Sequence, residues 1–123
     1  MRVAIPIWEN KISPVLDTAS KLMVVEVGVL DDASRFEIAF VKEDIASRCA
    51  LVRNLDIDVI ICGAVSRSFS SMLTASGVQM IPGISGPVEK VLAAYLDGRL
   101  ESAGFFLPGY DDGSLKGSEK TDP

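Results

Sequence analysis

Residues 57–73, IDVIICGAVSRSFSSML, constrain the fold more than any other stretch of this chain. Val59-Ile60-Ile61-Cys62 is an apolar run without alternation, which suits a strand covered on both faces, as in a parallel sheet. Gly63 interrupts the run, and Ser66 precedes Phe69, Met72 and Leu73, spaced to share one helix face. The unit is a strand, a tight turn and a helix. It recurs: Gln79-Met80-Ile81-Pro82 leads into Gly83-Ile84-Ser85-Gly86, then Pro87 and another helical pattern. Open α/β sheets bind ligands at the carboxyl ends of such strands. A site is therefore expected where the two turns lie side by side.

The rest of the chain supplies the partners of that unit. Arg2 to Ile7 reads as a short strand, and residues 8–20 read as a loop rich in turn formers. Lys21 to Gly28 is a Val-rich strand, Asp31 to Ser34 a polar break, and Phe36 to Val41 an alternating strand. Together they predict an antiparallel meander. Asp44 is placed to cap a helix that buries Ile45, Cys49, Val52 and Leu55. In the last helix Gly86 is expected at the N-cap, Pro87 at the first helical position and Glu89 two further on. Val88, Val91, Leu92, Tyr95 and Leu96 form its stripe, and Gly98 ends it. Leu100 to Leu107 adds a short extended piece. Residues 108–123 are Gly, Pro, Ser and charge, and a disordered tail is expected there.

Residues 1–107 thus form one α/β domain. A right-handed crossover links the meander to the strand–turn–helix units. The simplest result is a five-stranded mixed sheet of order 3-2-1-4-5, the second strand antiparallel to the rest, with three helices. This is the ribonuclease H-like arrangement.

Composition narrows the function. The chain has 123 residues, of which 48% are apolar, enough for a real core. A net charge of −5 argues against nucleic acid or an anionic membrane as the main partner. No apolar run approaches the roughly 20 residues of a membrane span. The opening MRVAIPIWEN has too short an apolar stretch for a secretory signal. A cytoplasmic protein is expected, and in that compartment Cys49 and Cys62 stay unpaired. The chain has no histidine, which removes the commonest general base and transition-metal ligand.

Cys62 is the first candidate for chemistry. It ends the buried strand, and a nearby helix N-terminus would favour its thiolate, a ligand for iron–sulfur clusters, zinc and copper(I). The alternative is that it is a small core residue. Cys49 falls on the apolar stripe of a helix and reads first as core. The two share a site only if that helix packs on the face to which Cys62 points. Gly63 to Ser66 and Gly83 to Gly86 bring backbone N–H groups to two helix N-termini, an arrangement that suits an anion. Ser66, Arg67 and Ser85 would add donors; alternatively the glycines only turn and the serines only cap. Trp8, Asn10 and Ser13 follow the first strand on the same sheet edge, where Trp8 either walls a pocket or covers the core. Neither GxGxxG nor a Walker motif is present, so no nucleotide is implied. A nuclease needs carboxylates clustered on adjacent strands, and the first strand carries none.

Several segments resemble the dinitrogenase iron–molybdenum cofactor biosynthesis family: VAIPI near the start, ISP at 12–14, DVIICGAVS at 58–66 and GISGPVEKVLAAYLDGRL at 83–100. The resemblance covers about residues 1–100 and implies the same ribonuclease H-like fold. Where the family typically carries His-Phe-Gly-Arg after Ser-Pro, this chain has Val15-Leu16-Asp17-Thr18. The resemblance implies a non-catalytic carrier of an iron–sulfur or iron–molybdenum cluster or its precursor. Its metal ligand would be Cys62, with Trp8, Ser13, Gly63, Ser66, Arg67, Gly83, Ser85 and Gly86 around the cofactor. A cluster usually takes four protein ligands, so sharing across a homodimer, or loose and transient binding, is expected. A P-loop ATPase of the kind that accompanies this family is a further expected partner. The alternative is a metal-independent domain that binds a small anion or metabolite at the glycine turns.

Overall fold

The computed structural model describes residues 1–28, 34–100 and 104–106. The chain runs β1 (Arg2–Trp8), β2 (Lys11–Ile12), a 3-10 turn (Leu16–Thr18), β3 (Lys21–Glu26), β4 (Ser34–Ala39), α1 (Ile45–Asn54), β5 (Val59–Ile61), α2 (Arg67–Ala75), β6 (Gln79–Ile81) and α3 (Val88–Leu96). Across the sheet the order is β4-β3-β1-β5-β6, with β2 pairing with β1 off this path. β3 is antiparallel to both β1 and β4, while β5 and β6 are parallel to β1. The expected order and the expected antiparallel strand are both present.

The sixth strand is an addition. Residues 8–20, expected as loop, hold a tight hairpin in which Ile7 pairs with Ile12 and Trp8 with Lys11. Glu9 and Asn10 form its turn with φ of 51° and 65°. Two successive left-handed residues match the twist of the strands they join.

Both sheet faces are covered, as the uninterrupted apolar run at residues 59–62 requires. On one face Ala4, Leu22, Val24, Ile60 and Cys62 meet Cys49 and Val52 of α1 and Phe69 and Leu73 of α2. On the other, Val3, Ile5, Met23, Val25, Val59 and Ile61 meet Val88, Val91 and Leu92 of α3. Alternate residues of one strand therefore feed separate cores. Each fully buried Leu, Ile or Phe contributes on the order of 1.5–3 kcal/mol relative to exposure.

The helix starts follow from their caps. Asp44 accepts a hydrogen bond from the Ser47 amide at 2.9 Å at the head of α1. Ser66 accepts from the Phe69 amide at 3.2 Å at the head of α2. At α3 the expectation is off by one residue: Pro87, not Gly86, is the N-cap. Pro87 is itself extended, with φ of −65° and ψ of 134°, so the first helical residue is Val88. Asp97 and Gly98 (φ +73°) end α3, as the sequence predicts. Of the expected extended piece, Phe106 bridges to Ile84. The expected tail at 108–123 and most of the break at 31–34 lie outside the described residues. Among the described residues no helix is long and apolar enough to cross a membrane.

Candidate functional site

The two strand–turn–helix units lie side by side, because β5 and β6 are parallel neighbours. The Gly83 amide donates to the Gly63 carbonyl at 2.9 Å, and the Ile84 amide to the Cys62 carbonyl at 3.0 Å. A third strand of backbone closes over the first turn. The Ala64 amide donates to the Pro14 carbonyl and the Leu16 amide to the Ala64 carbonyl, both at 2.8 Å. This pairing explains Gly63. A Cβ there would lie 2.5 Å from the Pro14 oxygen and 3.0 Å from that of Ser13, so only glycine admits the crossing.

The same segment delivers a carboxylate to the N-terminus of α2. Asp17, in the 3-10 turn, accepts from the Ser66 amide at 2.7 Å and from its hydroxyl at 2.5 Å. Anions favour helix N-termini because unpaired N–H groups and the helix dipole converge there. Here the anion is the chain's own. Ser85 is also engaged, its amide donating to the Phe105 carbonyl at 2.7 Å. Ser66 and the Ser85 amide, expected to greet an external anion, thus serve internal contacts. α2 packs on the sheet face opposite to α3, and the Val88 amide at the start of α3 donates to the Asn10 carbonyl of the hairpin turn.

Cys62 is fully buried in the α1/α2 core. Its thiol is pushed from the ordinary 9.0 up to about 12, first by burial and then by the negative charge of Asp17. The expected helix-stabilised thiolate is therefore corrected. Desolvation penalises the anion, and the helix end that would attract it already holds Asp17. Cys49 is buried in the same core, with its sulfur 3.7 Å from the Ser76 hydroxyl, and both cysteines are free. The helix carrying Cys49 does pack on the face to which Cys62 points.

The other candidates scatter. Trp8 is 56% exposed and lines a groove of about 420 Å³ with Glu9, Asn10, Lys21 and Glu37. It walls a pocket, but one that does not include Cys62. Ser13 is buried, and its amide donates to the Pro6 carbonyl at 2.8 Å. Arg67 is exposed at the start of α2, Gly83 is buried in the turn, and Gly86 packs against the Phe105 ring. Among the described residues no group of three or more His, Cys, Asp or Glu side chains is placed to hold a metal ion. Asp17 carries no sequence signal of this role. Its partner lies 49 positions away, and no local pattern announces a cap supplied from that distance.

The fold recurs in solved structures. The protein PH0822 superposes with a TM-score of 0.73 at 16% identity, over 81% of this chain and 93% of its own. The apo form of the orange protein from Desulfovibrio gigas gives 0.66 at 16% identity, over 80% and 88%. A candidate dinitrogenase from Methanocaldococcus jannaschii gives 0.63 at 17% identity, over 80% and 90%. No curated protein matches the chain in sequence. The family model for the dinitrogenase iron–molybdenum cofactor family matches residues 1–98, nearly the whole described domain. Having both that sequence match and the shared fold, the chain belongs to the dinitrogenase iron–molybdenum cofactor family.

Proposed function

We propose that this chain is a non-catalytic binding protein that carries an iron–sulfur or iron–molybdenum cluster, or a precursor of one, with Cys62 as its protein thiolate. The observation that carries this reading is the family match over residues 1–98. A fold neighbour described in an apo form, the orange protein, is consistent with it. Cys62 directly follows the interior strand β5, where ligands of such sheets bind.

The closed arrangement does not fit a cluster as it stands: Cys62 is buried and protonated, and no three-ligand group accompanies it. Loading on this reading requires the 13–18 segment to lift from the α2 turn, and metal binding then displaces the thiol proton. One chain offers two cysteines and no histidine. A cargo that takes four ligands therefore draws the rest from a second copy or from non-protein ligands, and such a carrier releases it readily. A homodimer, and delivery to or from a P-loop ATPase, belong to this proposal. So does residence in the cytoplasm.

The test is anaerobic reconstitution with iron and sulfide. Visible absorbance and bound iron are expected in the wild type, abolished by Cys62→Ser and largely kept by Cys49→Ser. Equal iron uptake by the wild type and Cys62→Ser would mark the binding as adventitious and end the carrier reading. The metal-independent anion reading is weaker, because Asp17 already occupies the α2 N-terminus.

A further inference from the structure

Arg48 lies in the first turn of α1 and is only 5% exposed. Its Nη1 donates to the Ala19 carbonyl at 2.6 Å and, at 3.5 Å, to that of Leu16, while Nε donates to the Lys42 carbonyl at 3.1 Å. The guanidinium carbon lies 4.4 Å from the centroid of the Phe40 ring. All these acceptors are neutral. A guanidinium has five N–H donors in a fixed fork, and the two on Nη2 have no partner among the described residues. A buried cation is unfavourable without a counter-charge.

Arg48 also lines a groove of about 420 Å³ between β4 and α1, walled by Ile38, Phe40 and Leu51 with Lys42 and Ser47 among its polar residues. Small-ligand sites occupy this size range and combine apolar walls with a few convergent polar groups. No Asp or Glu lines the groove, although the chain has 17 acidic residues against 12 basic ones. The groove therefore presents two cations and an apolar trough.

We propose that this groove binds a small carboxylate carrying a hydrocarbon body. The carboxylate accepts from the N–H groups of Arg48 Nη2, a charge-assisted contact, and the body lies against Ile38, Phe40 and Leu51. The site is separate from the Cys62 turn and does not depend on the carrier reading.

Octanoate is the probe, titrated into methyl-labelled protein while the signals of Ile38, Ala50 and Leu51 are followed. Octan-1-ol has the same body without charge, and acetate has the charge without the body. Octanoate is expected to shift these signals saturably and to bind at least about tenfold more tightly than either control, since only it offers both a charged acceptor and an apolar body. Arg48→Met removes the fork but also the grip on Ala19 and Lys42, so two variants avoid that contact. Ala50→Trp fills the groove from α1, and Lys42→Gln removes its second cation. Ala50→Trp is expected to abolish the shifts, and Lys42→Gln to weaken octanoate but not octanol. Absence of saturation, octanol or acetate binding as tightly as octanoate, or unaltered octanoate binding in Ala50→Trp would each overturn the proposal.

Discussion

Asp17→Ala is the substitution that tests the closed turn most directly. The Asp17 carboxylate takes two hydrogen bonds from Ser66, at 2.7 Å and 2.5 Å, and sits on the α2 N-terminus. Charge-assisted bonds to a helix cap contribute about 1–2 kcal/mol together when the site is partly wet. For a domain of this size that loss lowers Tm by roughly 3–8 °C. The same contact holds the 13–18 segment over Cys62, so a second readout is available. If thiol modification proceeds through lifting of that segment, a cap weaker by about 1–2 kcal/mol raises the labelling rate roughly 5- to 30-fold. The assay is labelling with a thiol reagent in a Cys49→Ser background, so that Cys62 alone reports, beside thermal unfolding of the same proteins. Removing the Asp17 charge also removes one of the two causes that raise the Cys62 pKa, which acts in the same direction on rate. A variant that melts earlier but labels at the parent rate would show that Cys62 is reached by another route, and the latch argument would fail.

Other outcomes follow from the same geometry. Gly63→Ala places a Cβ 2.5 Å from the Pro14 oxygen and is expected to cost about 2–3 kcal/mol in urea unfolding; Gly77→Ala, with φ of +93° but nothing within 4 Å, is expected to cost only about 1–2 kcal/mol. The Cys62 thiol is raised in the folded protein from 9.0 to about 12. Its stabilisation is therefore complete below pH 9 and is lost as pH climbs toward 12, by up to about 1.4 kcal/mol per pH unit. The stability difference between wild type and Cys62→Ala should shrink with that slope in alkaline denaturation, and a pH-independent difference would contradict the burial argument. In acid, Asp44 caps α1 with its carboxyl held below the usual range by the Ser47 hydrogen bonds. Asp44→Asn should accordingly flatten the loss of stability as pH falls through the carboxylate range, measured against the wild type.

The sheet order was readable because its signals are local. The run at 59–62, the Val-rich segment at 21–28 and the alternation at 36–41 each declare their own burial, and connection rules arrange them. The helix caps Asp44 and Ser66 lie within three residues of the amides they serve. The site was harder because its deciding contacts join distant parts of the chain. Asp17 reaching Ser66 and Pro14 closing over Gly63 leave no periodic trace, and they reverse the expected state of Cys62. Arg48 shows the same limit inside a helix. A charged residue beside an apolar stripe reads as surface until the carbonyls of Leu16 and Ala19 appear opposite it. The β2 hairpin escaped because two residues are too few to alternate.

The central place of β1 has a consequence for the order in which the molecule assembles. β1 pairs with β3 on one side and with β5 on the other, but Val3 meets Val25 across a far shorter loop than the one that brings it to Val59. Each doubling of a loop adds only about 0.6 kcal/mol of closure entropy, yet that entropy must be met before the non-local pairing repays it. The meander β1-β3-β4 is thus the natural nucleus, and the half carrying β5, α2, β6 and α3 docks onto an edge that already exists. Substitutions in the β1–β3 ladder should chiefly slow folding, and those in the β5–β6 half should chiefly speed unfolding. The turn around Cys62 belongs to the later half, so it is also the part that a native molecule can release first without dismantling its nucleus.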